Sequence, residues 1–96
     1  MLIKAGVDIS RLERHTRRSL NMIEQAWKFH NEELVITSTY EGNHGAGSLH
    51  YANQAYDLRY PTNDHDFWEA LIRRYLVINF DVVAERDHLH IEYDPH

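Results

Sequence analysis

Apolar residues recur at helical spacing early in the chain: Leu12, Leu20, Ile23, Ala26 and Trp27. Ser10-Arg11-Leu12-Glu13 reads as a capping box, with Ser10 at the N-cap and Glu13 three residues on. The pattern predicts a helix running to Phe29 or His30 and broken by Asn31-Glu32-Glu33. Residues 34–40 are β-branched and aromatic, which predicts a strand. Leu34 and Ile36 share one of its faces, and simple alternation extends that face to Ser38. Three glycines and an asparagine between Glu41 and Ser48 mark a loop.

The second half repeats the alternation of element types. Residues 54–60 suit a short strand, stopped by Pro61. Asn63 or Asp64 is placed to cap a second helix through Phe67, Trp68, Leu71, Ile72 and Tyr75. Strands are predicted over 77–85 and 89–93, with Arg86-Asp87 as the tight turn between them. The order α-β-β-α-β-β predicts an α+β fold, a small antiparallel sheet with two helices on one face. Nothing reads as a repeat or an interdomain linker, so residues 1–96 are expected to form a single domain. Trp27, Phe29, Phe67, Trp68 and Phe80 are the expected large core residues.

Composition changes this picture in three ways. Ten Lys and Arg stand against 15 Asp and Glu, a net charge of −5, which makes nucleic acid an unexpected partner. Arg14, Arg17 and Arg18 then read as a solvated helix face, with phosphate contact as the sharper alternative. The absence of cysteine excludes a disulfide framework, a cysteine-based zinc finger and a thiol nucleophile. No stretch approaches the ~18 apolar residues of a membrane span. The N-terminus lacks the apolar core of a signal peptide, so synthesis in the cytoplasm is expected. The outlier is histidine, at 8 of 96 residues. Without cysteine, a metal site has to be built from histidines and carboxylates.

Two clusters carry that chemistry. His50 ends the glycine-rich loop and Asp57 lies on the strand after it. His88 and His90 are two apart on a strand and so project to one face, with Glu85 beside the turn that precedes them. A catalytic zinc commonly takes three protein ligands and keeps one position open; here they would be His50, Asp57 and His90. A carboxylate must move the proton from water to the leaving amine, and Glu85 is the candidate. His88 is placed to stabilise the oxyanion.

These clusters resemble the paired motifs of a zinc peptidase family. That family includes D-Ala-D-Ala carboxypeptidases, VanX-type dipeptidases and phage endolysin peptidases, and shares its fold with the Hedgehog signalling domain. Ser48, His50, Ala55 and Asp57 match Ser-x-His-x-x-Gly-x-Ala-x-Asp; Glu85, His88 and His90 match Glu-x-x-His/Trp-x-His. The resemblance implies a minimal version of that fold, Zn²⁺ on His50, Asp57 and His90, Glu85 as catalytic base and His88 as transition-state support. It implies a peptidoglycan stem peptide or a short peptide with D-residues as substrate, and delivery to the cell wall by a separate route. Ser48, His44, Tyr40 and Arg59 are the expected substrate contacts. Two positions depart from the pattern: Asn53 stands for glycine, and Glu41 stands where the family carries an arginine. His44 and Arg59 are the candidates to offset Glu41. The alternative function is a zinc-binding interaction module of the same fold without turnover. Oligomeric state is left open.

Overall fold

A computed structural model describes residues 1–39, 54–77 and 79–94. The expectations for Tyr40, Glu41, His44, Ser48, His50 and the glycine-rich loop lie outside these residues. The described chain forms β1 (Leu2–Ile3), α1 (Arg14–Phe29), β2 (Val35–Thr39), β3 (Ala55–Arg59), α2 (His65–Tyr75), β4 (Phe80–Ala84) and β5 (His88–Tyr93). The five strands make one sheet in the order β1-β2-β3-β5-β4. All neighbours are antiparallel except β1 and β2. The fold is α+β, as the hydrophobic pattern predicts, but its sheet is mixed. A two-residue strand is too short to show a period, which is why β1 escapes sequence reading. Its backbone is nevertheless paired, through Leu2 N–H to the Leu34 carbonyl and Lys4 N–H to the Ile36 carbonyl.

Helix α1 starts later than the capping box predicts. Glu13, not Ser10, is the N-cap, with extended backbone and a carboxylate that accepts from the backbone N–H groups of His15 and Thr16. Ser10 is instead held in a local turn, its N–H donating to Asp8 Oδ1 at 2.8 Å. The helix ends where expected. Asn31 takes the left-handed conformation, its N–H bonds the Lys28 carbonyl, and the Glu32 N–H bonds the Trp27 carbonyl. That is a Schellman closure with asparagine in the usual place of glycine. Helix α2 is capped by Asp64, whose Oδ1 accepts from the Phe67 N–H. Asn79, also left-handed, turns the chain into β4, so that strand begins at Phe80 rather than at 77.

One core cluster joins both helices to one face of the sheet. Leu20, Ile23, Ala26 and Trp27 of α1 and Trp68 and Ile72 of α2 pack with Ile36, Tyr56, Leu58, Val82, Leu89 and Ile91. Phe29 and Phe67 are not core residues; they are 81% and 41% exposed. Trp27 and Trp68 meet instead, their rings 4.9 Å apart. Tyr56 is wholly buried and bonded to Ser19. Ser19 gives its own proton to the Thr16 carbonyl, so the tyrosine is the donor.

A register slip between β2 and β3 redirects the end of β2. Ile36 opposes Leu58, but Ser38 opposes Asp57, so two residues of β2 face one of β3. This β-bulge reverses the parity of the strand. Ser38 therefore does not share a face with Leu34 and Ile36. It lies on the sheet face turned away from the helices, beside Asp57.

Candidate functional site

Alternation along β3 and β5 sends Tyr56, Leu58, Leu89 and Ile91 into the helix-covered core. The same alternation sends Asp57, Arg59, His88, His90 and Glu92 to the far face. The register places Asp57 directly opposite His90, and Arg59 opposite His88. Asp57 and His90 are thus brought together by strand pairing, 33 residues apart in sequence. Their side chains meet, Oδ1 to Nδ1, at 2.9 Å, and both residues are buried.

His90 is held from both ends, with Glu92 Oε1 at 3.2 Å from its other ring nitrogen. Burial works against a charged imidazole here, but the hydrogen bonds to Asp57 and Glu92 outweigh it. The net result is a pKa raised above the ordinary histidine value. His88 lies in the same row. Its Nδ1 is 2.6 Å from Asp87 Oδ1, and its Nε2 is 3.6 Å from the second oxygen of Asp57. His88 holds the exposed Asp87 carboxyl below its usual range through that hydrogen bond.

Glu85 and His88 close the β4–β5 hairpin around Arg86-Asp87, as expected, through the Glu85 N–H and the His88 carbonyl at 2.9 Å. Strand parity puts Glu85 on the far face with Val83, which opposes His90. The Glu85 side chain is exposed, while its backbone carbonyl accepts from the Tyr60 hydroxyl at 2.9 Å. The turn is thereby tied to the residue that follows β3 as well as to β5.

Of the residues singled out from sequence, the structure gathers Asp57, His88 and His90, sets Glu85 and Arg59 on the same face, and leaves Arg59 exposed. His50, Ser48, His44 and Tyr40 lie outside the described residues. Among the described residues no three His, Cys, Asp or Glu side chains form a group that could hold a metal ion. The expected set needs His50 to complete it.

Two participants, Glu92 and Asp87, and one strand neighbour, Ser38, go beyond the sequence expectations. Glu92 was legible, because it stands two residues beyond His90 on the same strand face. The sequence pattern marks Asp87 only as a turn residue. Alternation places Ser38 on the face of Leu34 and Ile36, since nothing in an alternating run announces a bulge. Three further histidines make ring contacts away from this row: His15 stacks on Tyr93, His65 on Tyr60, and His30 meets Phe67 and Trp68 edge-on.

Comparison with models of protein families and with curated proteins finds no match for this chain. No helix among the described residues is long and apolar enough to cross a membrane.

Proposed function

We propose that the chain is a minimal zinc-dependent peptidase, of the kind its two motifs resemble, acting on peptidoglycan stem peptides or short peptides containing D-residues. The observation that carries this reading is the buried Asp57–His90 pair with His88 alongside it. Two ligands at ~2.0–2.1 Å from a tetrahedral zinc lie about 3.3 Å apart, so Asp57 Oδ1 and His90 Nδ1 at 2.9 Å need only a small widening to share an ion. Glu92 on the opposite nitrogen fits the carboxylate that commonly orients a ligating imidazole. Together with His50, Asp57 and His90 would hold the metal. Zinc held there supplies Lewis acidity to a scissile carbonyl and acidifies water.

The chain's own residues do the rest. The Glu85 carboxylate, on the same face and solvent-accessible, accepts the proton of the attacking water and returns it to the leaving amine. His88 is oriented by Asp87 through Nδ1, which turns Nε2 towards Asp57 and the developing oxyanion. Arg59, opposite His88, is the cation on this face available to a substrate carboxylate.

The test is Glu85→Gln assayed beside wild type on peptidoglycan fragments, with zinc content measured in both. Hydrolysis is expected to fall by at least about 10²-fold while about one zinc per chain is retained. Equal turnover in the two proteins removes Glu85 as the base. A second reading is favoured by Glu41 standing where the family carries an arginine: a zinc-holding interaction module without turnover. Zinc binding by a wild-type protein that cleaves no fragment selects it.

A further inference from the structure

The exposed side of α1 carries Arg14, Arg17, Arg18 and Asn21, at positions i, i+3, i+4 and i+7 of one helical stripe. These four residues line a surface cavity of about 270 Å³. All four are exposed and point away from the core formed by Leu20, Ile23 and Trp27. The cavity is therefore on the opposite side of the molecule from Asp57 and His90.

Its electrostatics are unusual for a chain of net charge −5. Residues 11–18 contain four arginines and one carboxylate, Glu13. That carboxylate is engaged by the backbone N–H groups of His15 and Thr16 as the helix cap. Among the described residues no carboxylate pairs with Arg14 or Arg18. Like charges three and four apart on a helix repel one another, so the stripe opposes rather than assists the stability of α1. Arg17 is also held in place, one of its guanidinium nitrogens donating to the Ser10 carbonyl at 3.0 Å. A positioned guanidinium loses less freedom when it binds.

We propose that Arg14, Arg17, Arg18 and Asn21 form a binding site for a compact phosphate group, a phosphomonoester or a pyrophosphate. Guanidinium forks match phosphate oxygens two at a time, and Asn21 adds a neutral donor. The cavity is open to solvent and lined by three guanidinium groups and one amide, which suits a small anion. The overall negative charge opposes a long polyanion laid across the surface, but is felt less by a small anion inside a cluster of cations. This site is independent of the peptidase reading.

Calorimetric titration of the intact, metal-free chain with inorganic phosphate and with pyrophosphate tests it. Wild type and His90→Ala are expected to show the same single saturable site. In the exposed double variant Arg14→Gln/Arg18→Gln, whose thermal melt should be unchanged or slightly raised, affinity is expected to fall about tenfold or more. Absence of saturable binding overturns the proposal, as does equal affinity in the double variant. Loss of the signal in His90→Ala places the anion on the far face instead, and also overturns it. Oligonucleotide binding that strengthens with length while pyrophosphate does not bind replaces the compact anion with a nucleic-acid surface.

Discussion

At the scale of single residues, the far face of the sheet is organised by carboxylates that orient imidazoles. Asp57 and Glu92 bracket His90, and Asp87 holds His88. Replacing an orienting carboxylate at a metal site commonly costs ~10–100-fold in metal affinity. If zinc binds as proposed, Glu92→Gln is expected to weaken it by that factor in a competition titration while leaving the helical circular dichroism unchanged. Affinity equal to wild type would show that Glu92 does not orient the ligand. On the helix side, burial pushes the Tyr56 hydroxyl well above the ordinary phenol value. A raised folded-state pKa means that the stability is fully present below the unfolded value near 10, and is lost as pH rises above it. Urea titrations above pH ~10 should show wild-type stability falling by up to about 1.4 kcal/mol per pH unit more steeply than in Tyr56→Phe. Near neutrality the same variant should be about 1 kcal/mol less stable, through loss of the bond to Ser19.

At the scale of elements, β4 is the long edge strand of the sheet among the described residues. Such an edge invites pairing with a second chain. Arg73 of α2 reaches it: the guanidinium donates to the Val82 carbonyl at 2.5 Å and is steadied by Glu69 at 2.8 Å. The helix thus blocks the middle of the edge with a cation. Arg73→Ala should free that carbonyl and raise concentration-dependent association, read by sedimentation velocity at several loadings. Unchanged sedimentation at every loading would mean that the edge is guarded otherwise. Helix extents were largely legible because their signals are local: the spacing of Leu20, Ile23 and Trp27, the Asp64 cap, and the Asn31 stop. The start of α1 differs from the expectation because Ser10 and Glu13 fit a capping box as letters, whereas glutamate is not a usual N-cap residue. Which of them caps depends on the turn that Asp8 makes with Ser10.

At the scale of the whole molecule, a chain of this size has a small core and gains much from a bound ligand. If zinc binds only the folded state, a concentration 100 times its dissociation constant adds about 2.7 kcal/mol. For a domain of roughly 100 residues that is a rise of about 10–20 °C in Tm. Scanning calorimetry with and without a chelator should show it in wild type and not in His90→Ala; identical melts in wild type would remove the metal from the account. The sequence by itself determined the helices, most strand positions and the α+β class, because hydrophobic period, caps and stops act over a few residues. It also determined that His88 and His90 share a face, because strand alternation is local. Only the tertiary structure decided that Asp57 lies opposite His90 and that Ser38 turns to the same face. Those two depend on strand register and on a bulge. Register is set by how the whole sheet packs against Trp27, Leu20 and Ile72, and no short stretch of sequence carries that information.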